Sequence, residues 1–244
     1  MKPWRTQHWC LPTLSAAFVA CLEDILTLYA LAPTRAEPLV CLDEYPFALT
    51  DDGRDPMPAS PGAIRREDDE YTRHGSCSLF GLFAPHLGWR RIIVRERRTK
   101  RDFAHILQQL VAEFPEAETI HLVLDNLNTH TAAALYKALP PEEARRIAAK
   151  LSFHYTPIHG SWVNQIEIEW SVLARQCLNR RLPALEIVQD AVDSRAARRN
   201  AERATVCWCF TVEDARRCLR RLYPVPSLDV PRPLHTCTDM ATPL

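Results

Sequence analysis

The sequence predicts an α/β fold in which helices flank a sheet of parallel and antiparallel strands. Short, continuous apolar runs of the kind found in buried strands alternate with segments whose apolar residues recur at helical spacing. Hydrophobic residues make up 47% and charged residues 25% of the 244 residues. These proportions are typical of a globular protein and exclude a disordered or fibrous chain.

The overall charge and the cysteine content exclude several classes of protein. Lysine plus arginine and aspartate plus glutamate both number 30, so the chain is not a simple polycation that coats nucleic acid. No apolar run approaches the length of roughly 18 residues that spans a bilayer. The basic start is followed by Glu23 and Asp24, which argues against a signal peptide. The nine cysteines include no CxxC pair and indicate reduced thiols, with Cys207 and Cys209 expected as small buried residues on a strand.

The first third of the chain predicts a helix, a strand and a long loop. Apolar residues at helical spacing cover 13–30, and Pro33 ends that segment. An apolar run over 38–42 reads as a buried strand that ends at Asp43. The stretch 46–70 has four prolines and no periodicity, so we expect a loop there.

The middle of the chain predicts a hairpin and then alternating helices and strands. Two strands at 78–84 and 89–94 are joined by a turn, and a helix follows at 101–114. A strand at 120–124 comes next, followed by helices at 131–138 and 142–150. A strand at 151–155 and a helix at 161–178 complete this part of the chain. Ser161 is the expected N-cap of the last helix. This is the element order of RNase H-like domains.

Four regions are expected along the chain. Residues 1–33 are expected to form an N-terminal helical lead-in, and residues 34–183 an RNase H-like catalytic domain. Residues 184–223 are expected to form a basic helical extension with a strand-like run at 206–211, and residues 224–244 a disordered proline-rich tail.

Two aspartates lie where apolar strands end. Asp43 and Asp125 should meet at one edge of the sheet, where α/β folds bind ligands. A third acid from the last helix would complete an all-oxygen site of the kind that Mg²⁺ prefers. Two such ions can activate an attacking oxygen and stabilise a leaving oxygen at a phosphodiester. Helical periodicity leaves Glu167 and Glu169 as equal candidates for the third acid.

Several ordered motifs resemble a known family. The residues that carry the resemblance are Leu42-Asp43-Glu44, then Tyr71-x-Arg73-His74-Gly75, then Val123-Leu124-Asp125-Asn126-Leu127-Asn128-Thr129-His130, then Tyr155-Thr156-Pro157-x-His159-Gly160-Ser161-Trp162-x-Asn164-Gln165-x-Glu167. They resemble the DDE transposases of bacterial insertion sequences, and within these the insertion sequence 630 family of the mariner-like superfamily. The similarity runs from about Trp9 to Tyr223.

The resemblance implies a site and an activity. It selects Glu167 from an Asn-x-x-Glu run and leaves Glu169 as an acid on the helix surface. It implies that Asp43, Asp125 and Glu167 are the catalytic residues and the ligands of two Mg²⁺ or Mn²⁺ ions. The implied reaction is cleavage of DNA at transposon ends and strand transfer into target DNA, by a homodimer on DNA in the bacterial cytoplasm, associated with the nucleoid. The helix-turn-helix region that usually precedes the domain is expected to be absent.

Further residues are candidates for supporting the acids or contacting DNA. The motifs nominate amide, imidazole, indole and guanidinium groups, at Asn126, Asn128, His130, His159, Trp162, Asn164, Arg73 and His74. Basic residues crowd around the second hairpin strand, at Arg90, Arg91, Arg95, Arg97, Arg98, Lys100 and Arg101. Positions 171–224 hold 11 basic against six acidic residues. Both stretches suit contacts to a phosphate backbone, or else form solvated surfaces.

Two other functions are compatible with the same acids. A simple RNase H-like nuclease would cut DNA without joining it, and a transposase-derived remnant would be inactive or regulatory. A zinc-binding module does not fit, because no cysteine and histidine spacing supplies four ligands.

Overall fold

A computed structural model describes residues 15–32, 34–55, 57–64, 66, 68–220 and 223–224. The first 14 residues of the expected lead-in and the proline-rich tail after residue 224 lie outside this part of the chain. The disorder expected for that tail stays a prediction.

Five strands form one mixed sheet. They are β1 (Leu39–Asp52), β2 (Tyr71–Ala84), β3 (Trp89–Arg95), β4 (Ile120–Leu124) and β5 (Leu151–Tyr155). Their order across the sheet is β3-β2-β1-β4-β5. β1, β4 and β5 run parallel, whereas β2 is antiparallel to both β1 and β3. The predicted mixed sheet is therefore confirmed.

Helices cover both faces of this sheet. They are α1 (Ala16–Ala30), α2 (Lys100–Glu113), α3 (Leu135–Ala138), α4 (Pro141–Ala148), α5 (Ile166–Gln176), α6 (Leu185–Ala201) and α7 (Val212–Cys218). One hydrophobic core joins the sheet to α1, α5 and α6, and a second core joins its other face to α2, α3 and α4. No helix among the described residues is both long enough and apolar enough to cross a bilayer.

The alternation of side chains along β1 decides which helices each residue meets. Leu39 and Cys41 belong to the core beneath α1 and α5, whereas Val40 and Leu42 belong to the core beneath α2. Successive side chains of a strand point to opposite faces. Asp43 consequently points to the same side of the sheet as α5.

β1 and β4 separate where the acidic residues begin. Their parallel pairing runs only from Leu39 beside His121 to Cys41 beside Val123. Beyond that point β1 pairs with β2 alone. Asp43 and Asp125 follow these last paired positions by two residues each, so both flank the gap between the strands.

The loop expected over 46–70 is wrong at its start. Residues 46–52 continue β1, and residues 71–77 add a matching length to β2. The prolines in this stretch led to the wrong prediction of a loop at 46–52. A proline is tolerated where a strand has only one neighbour, and β1 has lost β4 by the time it reaches Pro46.

Three other local predictions need correction. Ser161 is not the N-cap of α5: it starts a single 3₁₀ turn, Ser161–Val163, and α5 begins later with Gln165 as its N-cap. No strand forms at 206–211, which lies between α6 and α7. Cys207 and Cys209 are exposed, because this unpaired segment buries neither thiol.

Gly81 allows α5 to approach the sheet closely. It pairs with Asp43 across β1 and β2. A Cβ atom on Gly81 would lie 2.6 Å from Cζ2 of Trp170 and 3.0 Å from Cδ1 of Ile166. A glycine is therefore required opposite Asp43, because a side chain there would prevent α5, the helix that carries Glu167, from packing against the sheet.

We expect Gly81→Ala to lower the free energy of unfolding by about 1–3 kcal/mol, because the methyl group overpacks this contact. Urea titration measures the change. In a Trp170→Leu background, where the indole is gone, the same glycine substitution should be far less harmful. Equal losses in both backgrounds would contradict the proposed contact.

Candidate active site

Asp43 lies among three other carboxylates. Burial raises the pKa of Asp43 to about 7, and the charges of Asp125, Glu167 and Glu44 add to the increase, although a hydrogen bond from the Glu44 backbone N–H opposes it. That bond is 2.7 Å long and ends on Oδ1. The charges of two acids nominated from the sequence, Asp125 and Glu167, therefore act on the third nominated acid, Asp43.

His130 joins the second acid to β1. Its Nδ1 lies 2.5 Å from Oδ1 of Asp125, and its Nε2 lies 3.0 Å from Oε1 of Glu44. The imidazole is fully buried, with the Phe103 ring centroid 4.6 Å from its own. The Tyr155 hydroxyl donates to the His130 carbonyl at 2.8 Å. His130 therefore bridges the gap between β1 and β4.

The charge of His130 follows from its two partners. Burial alone lowers the pKa of His130, but the hydrogen bonds and charges of Asp125 and Glu44 outweigh burial and raise the pKa to about 9. At neutral pH both ring nitrogens carry protons and both donate to carboxylates. The imidazolium thus fixes the orientation of Asp125 and offsets part of the negative charge gathered here.

Glu167 is positioned by the turn that precedes α5. It lies in the first turn of this helix, with most of its side chain exposed, and burial of the remainder raises its pKa. The buried Asn164 side chain donates to the carbonyl of Leu42 at 3.0 Å. Because Leu42 directly precedes Asp43, this bond fixes the start of α5 against the strand that carries the first acid.

Tyr29 anchors the same turn from α1. Its hydroxyl donates to the carbonyl of Val163 at 2.8 Å and accepts the N–H of Gln165 at 3.3 Å. The turn before Glu167 is therefore attached to a helix as well as to β1.

The amides after β4 have different roles. The Asn126 side chain donates to the carbonyl of Thr156 at 2.7 Å, which ties the segment after Asp125 to the segment after β5. Asn128 is exposed, and its side chain makes no hydrogen bond within the described residues. Asn126 supports the acids, whereas Asn128 is free to meet a ligand.

His159 and Trp162 belong to an exposed rim formed by the segment between β5 and Glu167. His159 has a φ of 62°, which is uncommon for a residue with a side chain, and it is exposed. Trp162 is 49% exposed, and the neighbouring Ile158 is 70% exposed. Apolar side chains this open to solvent, on the segment between β5 and Glu167, suit contact with a ligand.

The structure does not bring Arg73 and His74 to the acids. Both are exposed near the start of β2, where Arg73 pairs in register with Thr50. Arg73 lies eight positions before Gly81 along an extended strand, a span of roughly 27 Å. Neither residue supports the acidic cluster, and contact with DNA stays a prediction for both.

The expectation that Glu169 is a surface acid is wrong. It is 4% exposed, and its carboxylate lies 3.2 Å from Nε of Arg90 and 2.7 Å from Nη2 of Arg199. This cluster links α5 to β3 and α6. Arg90 is itself buried, so one residue of the expected basic surface is unavailable to DNA. Helical periodicity could not reveal partners that come from distant parts of the chain.

Glu44 and Gly81 are contributors that the sequence did not single out. Glu44 belongs to the first motif, but nothing near it in sequence indicated that it would bond the distant His130. Gly81 lies inside an apolar strand, where a glycine can mark close packing against another element.

The donor set suits a hard divalent cation. Asp43, Asp125 and Glu167 supply only oxygen ligands, and their mutual repulsion would be relieved by a cation. Within the described residues, no three Asp, Glu, His or Cys side chains converge tightly enough to hold one ion together. Mg²⁺ does not require this, because one or two carboxylates with water and substrate phosphates complete its coordination.

Comparisons with known proteins agree with this architecture. The family model described as "DDE superfamily endonuclease" matches residues 38–189. No curated protein sequence matches the chain.

Three solved structures of Mos1 share the fold. The mariner paired end complex with Mn has a TM-score of 0.58 at 14% identity, covering 89% of this chain and 66% of the Mos1 chain. The strand transfer complex has a TM-score of 0.55 at 13% identity, covering 89% of this chain and 65% of the Mos1 chain. The pre-cleavage transpososome has a TM-score of 0.54 at 14% identity, covering 89% of this chain and 66% of the Mos1 chain.

This chain therefore spans slightly less than two thirds of the Mos1 chains that it matches. The shared fold confirms the RNase H-like architecture predicted from the element order. Since the family model covers more than half of the sequence, the chain belongs to the DDE superfamily of endonucleases.

Proposed function

We propose that this chain is the catalytic domain of a DDE transposase of the insertion sequence 630 family, which cuts DNA at transposon ends and joins the freed 3′-hydroxyl to target DNA. The proposal is supported by the environment of Asp43 on β1, where burial raises the pKa to about 7 and the charges of Asp125, after β4, and Glu167, on α5, contribute to the increase.

The three acids would hold two Mg²⁺ or Mn²⁺ ions. When bound, such ions supply Lewis acidity that activates the attacking oxygen and stabilises the leaving oxygen of a phosphodiester. The protein's own residues hold the acids in place. His130 orients Asp125, Asn164 fixes the start of α5 beside Asp43, and Asn126 ties the segment after β4 to the segment after β5.

The exposed rim between β5 and Glu167 suits a nucleic acid. Trp162 offers a half-exposed indole on which an unpaired base can stack. The exposed Asn128 and His159 offer polar groups to phosphate oxygens. The partners in this proposal are transposon-end DNA, target DNA and a second copy of the chain that assembles on DNA. The setting would be the bacterial cytoplasm, at the nucleoid.

We expect Asp125→Asn to abolish Mg²⁺- or Mn²⁺-dependent nicking of supercoiled plasmid. The fold should survive, because an amide oxygen at this position still accepts from His130. Gel electrophoresis measures nicking, and circular dichroism checks the fold. Asp190→Asn is the matched control, because this acid is exposed on α6 and away from the cluster. Wild-type nicking by the folded Asp125→Asn variant would rule out the site.

Glu167→Gln and Glu169→Gln should separate function from stability on one helix. Glu169→Gln leaves the buried Arg90 without its countercharge, and we expect a loss of about 3–5 kcal/mol in the free energy of unfolding. Glu167→Gln should change stability by less than about 0.5 kcal/mol yet abolish nicking. Urea titration and the plasmid assay give the two readouts. The reverse pattern would show that Glu169 is the third acid.

A strand-transfer assay distinguishes a transposase from a nuclease that only cuts. Pre-cut duplex ends carrying a 3′-hydroxyl are mixed with plasmid and a divalent cation. We expect covalent joining of the ends to the plasmid, because the same acids would activate the 3′-hydroxyl as well as water. Nicking without joined product would assign the chain to the simple nucleases.

A further inference from the structure

A groove lined by arginines lies between α5 and α6. Its volume is about 490 Å³, and it is lined by Arg175 at the end of α5, Arg180 in the following link, and Arg195 and Arg198 on α6. No carboxylate lines it. Arginines from three successive segments therefore surround one concavity.

The charges in this groove are largely uncompensated. Only Arg198 pairs with a carboxylate within the described residues, at 3.0 Å from the exposed Glu202. Arg195 donates from Nη2 to the Gln176 amide oxygen, while its buried Nε has no partner in the described part of the chain. Among the residues that the structure describes, Arg175 donates only to a backbone carbonyl of its own helix.

A concave surface of this kind attracts an extended polyanion. Guanidinium groups repel one another and match phosphate oxygens geometrically, so an anion with regularly spaced charges relieves the repulsion. Low-dielectric walls concentrate the positive potential inside a cleft. A solvated helix surface, by contrast, has no reason to gather arginines from both sides of a groove.

The groove is connected to the acids by one rigid helix. Glu167 lies in the first turn of α5, and Arg175 lies eight residues later, near its end. At 1.5 Å per residue, the two Cα positions are about 12 Å apart along the helix axis. Both side chains are exposed to solvent. This distance is short compared with the length of a bound duplex, so one duplex can reach both positions.

We propose that the groove formed by Arg175, Arg180, Arg195 and Arg198 binds the phosphate backbone of the same DNA that is cut at the acids. That this DNA is cut at the acids rests on the proposed function. The groove contributes affinity and register without reading sequence, because its contacts go to the backbone.

Fluorescence anisotropy tests the proposal with the full chain and a labelled 30-base-pair duplex in buffer without divalent cations, over a range of salt concentrations. Arg175→Gln/Arg180→Gln should weaken binding about 10-fold and reduce the slope of log affinity against log salt by about 2, since each lost phosphate contact removes about 0.9. The loss should be the same for a duplex of unrelated sequence.

The matched control is Arg145→Gln/Arg146→Gln on α4, which removes the same charge from the opposite face of the sheet. If the groove variant binds DNA as tightly as this control, the groove proposal is overturned, whether or not the chain nicks plasmid. If the groove variant alone loses affinity while wild-type chain fails to nick, the groove stands and the proposed function fails. Absence of any DNA binding by wild-type chain would overturn both.

Discussion

The burial of Asp43 near other carboxylates is the constraint on which the arrangement of this site depends. Burial, followed by the charges of Asp125, Glu167 and Glu44, raises the pKa of Asp43 to about 7. Such a cluster is unfavourable unless the surrounding structure holds it together. Neighbours of the acids provide that restraint: His130 bonds both Asp125 and Glu44, while Asn164 bonds the carbonyl that precedes Asp43.

Helix α5 carries two glutamates with different roles: Glu169 holds the helix in place, and Glu167 is the proposed metal ligand. Glu167 and Glu169 are two residues apart, so their side chains point about 200° apart around α5. Glu169 is enclosed by Arg90 and Arg199, which fix the helix against β3 and α6. Glu167 is exposed to solvent, and its charge acts on Asp43. Because Gly81 has no side chain, α5 can pack closely against the sheet at this point.

Much of the fold could be predicted from local pattern. The run at 120–124 is apolar except for His121, the run at 151–155 alternates apolar and polar residues, and both are strands with the predicted bounds. The principle that parallel strands end at one edge also placed Asp43 and Asp125 together. The long arms of the β1–β2 hairpin were missed, because Pro46 and the charged stretch after it resemble a loop.

The features that could not be predicted from the sequence depend on contacts between residues that are far apart in the chain. Periodicity treated Glu167 and Glu169 alike, since their difference depends on Arg90, which is far away in sequence. The burial of Arg90 likewise removed it from the expected DNA surface, whereas the arginines at the end of α5 and on α6 form a groove that charge counting alone could not locate. Resemblance to a family selected Glu167 where spacing left the choice open.

A crystal structure of the chain with Mn²⁺ and a short duplex, measured at the manganese absorption edge, tests the central claim most directly. The account predicts anomalous peaks within bonding distance of the Asp43, Asp125 and Glu167 carboxylates. Manganese bound elsewhere, with these three carboxylates free of metal beside the DNA, would contradict it.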